Sequence, residues 1–156
     1  MRALIICKSC HHYNTLKIAK AIGEVLDADI RPPNECEPSF VKDYDLMGFG
    51  SGIYWGKYHE DIFSFVEKLS ETYRKYAFIF STSGLGKIPI LNDYGRRIRE
   101  KLEEKGFHIL GEFSCRGHDT FSVLKLVGGI YKGRPNREDI FSAKEFAENI
   151  REKIED

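Results

Sequence analysis

The chain has 156 residues, 42% of them hydrophobic and 31% charged, which suits one soluble globular domain over residues 1–156 with a sizeable core. Lys plus Arg number 24 and Asp plus Glu number 24, so net charge gives no pull toward nucleic acid or an anionic membrane. It also gives no strong repulsion between copies, which leaves a monomer or weak homodimer open.

Ala3–Cys7 is a continuous apolar run, expected to be a strand buried on both faces. It is too short for a signal peptide or a membrane span, and no later segment is long enough to insert in a membrane. The four cysteines (Cys7, Cys10, Cys36, Cys115) lack a disulfide-framework spacing, so a reducing, cytoplasmic location is expected. Asn14–Leu26 is helical, with Ile18, Ala19, Ile22, Val25 and Leu26 on one stripe and Asn14 as its expected cap. Ala28–Ile30 is a weak second strand. The Pro-rich stretch Arg31–Lys42 reads as a surface connection, too short to be a linker between separate domains. Tyr44–Phe49 is the third strand and Asp61–Leu69 the next helix. Tyr76–Ser81 is the fourth strand. Asp93–Lys105 is a charged helix closed by Gly106, and Phe107–Phe113 is the fifth strand. Asn136–Lys153 is the last helix, with Ile140, Ala143, Ala147, Ile150 and Ile154 inward and Asn136 and Asp139 spaced as a capping pair. There is no internal repeat.

Strands alternating with helices imply an α/β class: a doubly wound parallel sheet of five strands, order 2-1-3-4-5, with helices on both faces. Ligands of such sheets bind beyond the carboxyl ends of the strands. Three loops lie there. The first, Lys8 to Thr15, places Ser9, Cys10, His11, His12, Tyr13, Asn14 and Thr15 before a helix N-terminus, a setting receptive to phosphate and equally that of an ordinary polar turn. Cys7-Lys8-Ser9-Cys10-His11 also matches C-x-x-C-H. Covalent haem is not expected for a chain without an export signal whose Cys7 ends a buried strand. A thioredoxin-like pair would sit at the helix start, and a zinc site from near-consecutive ligands is cramped. Both cysteines read as structural, with Cys10 a candidate reactive thiol.

The second loop, Ser51, Gly52, Ile53, Tyr54, Trp55 and Gly56, follows Gly48 and Gly50. Glycines permit close approach of a ligand, and Tyr54 beside Trp55 suits stacking on a flat one; the alternative is that both rings cover the sheet end. The third, Thr82, Ser83 and Gly84, can offer backbone groups to a ring edge. After the fifth strand, Arg116, His118 and Asp119 read as a polar turn with some capacity to neutralise an anion or relay protons. Lys132, Arg134 and Arg137 form a local basic patch, read as a solvated face.

Together these segments resemble flavodoxins. Cys10 to Thr15 aligns with that family's phosphate loop, matching at Asn14-Thr15 and departing at Cys10, His12 and Tyr13, where hydroxyl residues and glycine are usual. Tyr44 to Lys57 resembles the second loop, with Gly-Ser before an aromatic that flanks the flavin, and Phe80 to Gly84 resembles the third. The tail Gly128 to Asn136 is similar to that of a prokaryotic subgroup and of flavodoxin-like protoporphyrinogen dehydrogenases. The resemblance implies one noncovalent FMN and an electron carrier serving redox partner proteins. It also implies as alternatives an oxidoreductase of the protoporphyrinogen dehydrogenase or quinone reductase type, or a module that has lost FMN. Carriers of this family are usually acidic, and this chain is neutral.

Overall fold

The computed structural model describes residues 1–9, 13–72, 74–83, 93–116 and 135–156, with the side chain of residue 116 set aside. The elements in order are β1 (Ala3–Lys8), α1 (Asn14–Leu26), β2 (Asp29–Arg31), β3 (Leu46–Tyr54), β4 (Lys57–Tyr58), α2 (Glu60–Glu67), β5 (Lys75–Ser83), α3 (Arg96–Glu104), β6 (Phe107–Arg116) and α4 (Arg137–Glu155). The Pro-rich connection forms two short 3-10 turns, Pro33–Glu35 and Pro38–Asp43.

Five parallel strands lie in the order β2-β1-β3-β5-β6, the expected 2-1-3-4-5 counted along the parallel strands, and β4 pairs antiparallel with the end of β3. Alternation along each strand feeds two cores. Ala3, Ile5, Cys7, Leu46, Phe78 and Phe80 pack under α1 and α4. Leu4, Ile6, Met47, Phe49, Ala77 and Ile79 pack under α2 and α3. Because both faces are covered, the central strands read as unbroken apolar runs. Among the described residues no helix is long and apolar enough to cross a membrane.

Helix ends follow the expected chemistry in two places. Asn136 and Asp139 form a reciprocal capping box, at 3.0 Å and 2.8 Å. Gly106 takes a φ of 93° just past α3, and a Cβ there would stand 2.1 Å from the Thr72 carbonyl oxygen.

Three expectations need correction. Asn14 is the first residue inside α1, not its cap. Tyr13 holds the cap position in a left-handed conformation, and the Ser9 hydroxyl accepts from the Leu16 N–H at 3.3 Å. The third strand does not end at Phe49; it continues through Tyr54, since pairing with β5 persists to Gly52 and with β4 beyond. Gly48 and Gly50 serve packing rather than ligand approach: a Cβ on them would stand 2.4 Å and 2.1 Å from the ring tips of Phe78 and Phe80. Positive φ among the described glycines occurs at Gly56 and Gly106, not at Gly48, Gly50 or Gly52.

The Gly50–Phe80 contact yields a test. Gly50→Ala overpacks a closed layer and is expected to cost about 1–3 kcal/mol, read as a lower urea midpoint with an unchanged slope.

Candidate functional site

The parallel register sets the strand exits side by side. Lys8 lies opposite Ser51, Ser51 opposite Ser81, and Ser81 opposite Ser114. One step further, Gly52 faces Thr82 and Thr82 faces Cys115. Small and polar residues therefore line one rim at the carboxyl end of the sheet, where the chain leaves toward α1, α2 and α3.

At β1 the rim is built around the start of α1. The Ser9 hydroxyl occupies the helix N-terminus as an acceptor. Thr15 is buried and shares a 2.8 Å hydrogen bond with the Thr82 hydroxyl, which ties the first loop to the end of β5. Asn14 is buried beside it. Tyr13 is 66% exposed at a φ of 55°, a left-handed conformation in which a side chain costs roughly 1–2 kcal/mol. Cys10, His11, His12 and Gly84 lie outside the described residues, as do His118, Asp119, Lys132 and Arg134.

The second loop is a hairpin rather than an open loop. Ile53 pairs with Tyr58 and Tyr54 with Lys57, leaving Trp55 and Gly56 as a two-residue turn. Their φ values, 52° and 77°, are both positive, the pattern of a type I′ turn. Asn or Gly usually takes the first of these positions. Here it is the only tryptophan of the chain, 79% exposed. A bulky residue in this left-handed conformation costs roughly 1–2 kcal/mol relative to glycine. Tyr54 turns the other way. Its phenol oxygen lies 2.8 Å from where a Cβ on Gly52 would stand, and its ring meets that of His59 edge-on at 5.4 Å. The structure thus separates the two aromatics: Trp55 faces outward and Tyr54 packs within the hairpin.

The base of the hairpin is closed by buried Ser51. Its hydroxyl donates to the Gly52 carbonyl at 2.6 Å and accepts from the His59 N–H at 2.9 Å. His59 Nδ1 accepts from the Asp61 N–H at 3.0 Å and so caps α2. Asp61 is also 3.0 Å from Lys8 Nζ across the rim.

Beyond β5, Thr82 is buried and Ser83 half-buried. The chain is next described at Asp93. Arg99 donates to Asp93 at 2.7 Å and to Glu112 at 2.6 Å, fastening this segment to β6. Both carboxylates, Asp93 foremost through its hydrogen bond, hold the guanidinium further above its usual range. Tyr94, in the fastened segment, packs on the core, with its ring 3.9 Å from where a Cβ on Gly56 would stand. Sequence reasoning missed Tyr94, His59 and the hairpin. The signal available was Gly56 between alternating residues and two acids after His59, a helix-start pattern. Arg116 ends β6 opposite Ser83.

Cys7 is 5% exposed in β1, and burial pushes its thiol up to about 12. It is a poor nucleophile and a poor metal ligand, in keeping with the structural reading. Among the described residues no group of three or more His, Cys, Asp or Glu could hold a metal ion.

Two outcomes follow. Iodoacetamide at pH 8 leaves Cys7 unmodified in the folded protein and labels it after denaturation, as read by peptide mass. Thr15→Val or Thr82→Val alone strands a buried hydroxyl and costs about 1–3 kcal/mol, whereas the double variant recovers most of that loss in a denaturation cycle.

Residues 5–117 match the family model of a flavodoxin domain. An uncharacterized protein of Methanocaldococcus jannaschii is 52% identical over 151 residues, covering 96% of this chain and 98% of that protein. A flavodoxin from the domain Archaea superposes with a TM-score of 0.72 at 17% identity over 100% of both chains. Oxidised flavodoxin 1 of Bacillus cereus gives 0.70 at 18% identity over 97% of this chain and 98% of its own. The rubredoxin oxygen:oxidoreductase of Desulfovibrio gigas gives 0.76 at 14% identity over 99% of this chain and 36% of its own. The fold, the rim and the family match agree, and the chain belongs to the flavodoxin domain family.

Proposed function

We propose that this chain binds one FMN noncovalently at the rim and carries electrons between redox partner proteins. The observation that carries the reading is Trp55. An exposed indole on a strained turn stands at the ligand-binding end of a flavodoxin fold. The donor chemistry fits the same group. Hydroxyls, amides and a helix N-terminus suit a phosphate, and a flat aromatic suits a flavin ring.

In this reading Ser9, Cys10, His11, His12, Tyr13, Asn14 and Thr15 hold the phosphate and ribityl end. Trp55 covers the ring, and Ser51, Gly52, Ile53, Tyr54 and Gly56 keep it in place by fixing the hairpin. Thr82, Ser83 and Gly84 address the ring edge. FMN, when bound, supplies one- and two-electron chemistry. The Thr15–Thr82 hydrogen bond joins two walls of the site, and the Arg99 clamp steadies Tyr94 behind the turn. The net charge of zero predicts partner docking that depends little on salt, unlike docking between oppositely charged surfaces. A cytoplasmic setting belongs to the same proposal.

The test is direct. The purified protein is expected to be yellow, to release FMN on denaturation, and to rebind FMN as apoprotein. Trp55→Ala is expected to weaken FMN by roughly two- to tenfold, the worth of one aromatic contact. A colourless protein that cannot be reconstituted overturns the reading, and an unchanged affinity in Trp55→Ala removes the stacking role.

A further inference from the structure

We propose that Lys8 is the cation that this site holds toward the flavin ring, and that Asp61 positions it and sets how much of its charge the ring feels. The proposal deepens the FMN reading and rests on it, because it names the form of the cofactor that the site favours.

The place of Lys8 follows from the strand. Ala3, Ile5 and Cys7 face the core under α1 and α4, and Leu4 and Ile6 face the core under α2 and α3. Alternation therefore sends Lys8 to the α2 side. Its Nζ stands 3.0 Å from Asp61 Oδ2 in the first turn of α2. The N-terminus of α1, to which the phosphate is assigned, belongs to the opposite face of the sheet. The Trp55 hairpin shares the side of Lys8: Tyr58 of its returning strand is buried in the core under α2 and α3, and His59 leads into α2. Lys8 is also level with Ser51, whose hydroxyl accepts from the His59 N–H at the base of that hairpin. The ammonium thus lies at the end of the site assigned to the ring and not at the phosphate end.

The two charges of the pair do not cancel for a ligand on the rim. The Lys8 side chain is 26% exposed and that of Asp61 47%, so water screens the carboxylate more than the ammonium. Asp61 is held from its own helix. Its N–H donates to His59 Nδ1 at 3.0 Å, and a carboxylate in a first turn is favoured by the helix dipole. The hairpin charges Lys57 and Glu60 form their own pair at 3.0 Å, further out in water. Uptake of two electrons and one proton from a redox partner leaves a flavin with one added negative charge. A partly buried cation beside the ring favours that form over the oxidised one.

The midpoint potential of bound FMN is measured at pH 8 by dithionite titration against a reference dye, in the wild type, Lys8→Met and Asp61→Asn. Lys8→Met is expected to weaken reduced FMN relative to oxidised FMN by about tenfold, a fall of about 30 mV for two electrons. Asp61→Asn is expected to raise the potential, because the ammonium stays and its counter-charge goes. Opposite signs are the signature. An ion pair that serves only to join β1 to α2 is lost equally in both variants; it lowers the urea midpoint alike and moves the potential the same way or not at all. Either of those results for the potential overturns the proposal. So does a Lys8→Met protein that loses affinity for oxidised FMN but not for riboflavin, since the cation then serves the phosphate. If Lys8→Met does not fold, Asp61→Asn decides alone: a raised potential supports the proposal, and an unchanged or lowered one overturns it. Failure of the wild type to bind FMN overturns the FMN reading and this proposal with it. Bound FMN whose potential ignores Lys8 and Asp61 overturns this proposal alone.

Discussion

The register of the parallel ladder is the constraint on which the rest depends. Pairing Lys8 with Ser51, Ser51 with Ser81 and Ser81 with Ser114 aligns four strands at one level near their carboxyl ends. A one-residue slip would turn every side chain to the opposite face and exchange the two cores. The alternation of Ile5 and Ile6, Met47 and Leu46, and Phe78 and Ile79 between those cores forbids such a slip. With the register fixed, the helix starts and turns above the rim can be joined by short polar contacts such as Thr15 to Thr82.

Much of this was legible in the sequence because periodicity reports burial. β1, α1 and α4 stand where their apolar patterns place them, and the Asn136–Asp139 box forms as its spacing implies. The second loop was legible in content but not in shape. Glycines at 48, 50 and 52 look like a loop in one dimension, yet the first two make room for phenylalanine rings on the neighbouring strand. That is a cross-strand fact, invisible without the register. The same holds for Ser9 as an acceptor at the start of α1, because a hydroxyl seven residues from Leu16 lies outside any local capping pattern. His59 and Tyr94 gain meaning from what they touch in space.

The charge balance acquires a local meaning as well. Near the rim the charges occur as pairs, Lys8 with Asp61 and Lys57 with Glu60, and behind it Arg99 spans two carboxylates. Such pairs orient segments more than they add stability at exposed positions. Against this background the exposed aromatics Tyr13 and Trp55 are distinctive. Both sit in left-handed backbone at the carboxyl end of the sheet, each on a loop that leaves one of two adjacent strands. A sequence under selection for stability alone would place glycine or asparagine at such positions.

If Trp55 lies against the flavin, indole and ring must quench each other. Adding FMN to the apoprotein at pH 8 while recording both emissions reads that contact without any substitution. The two emissions are expected to fall in parallel and to saturate at one FMN per chain. Binding that leaves Trp55 emission unchanged would contradict the stacked arrangement.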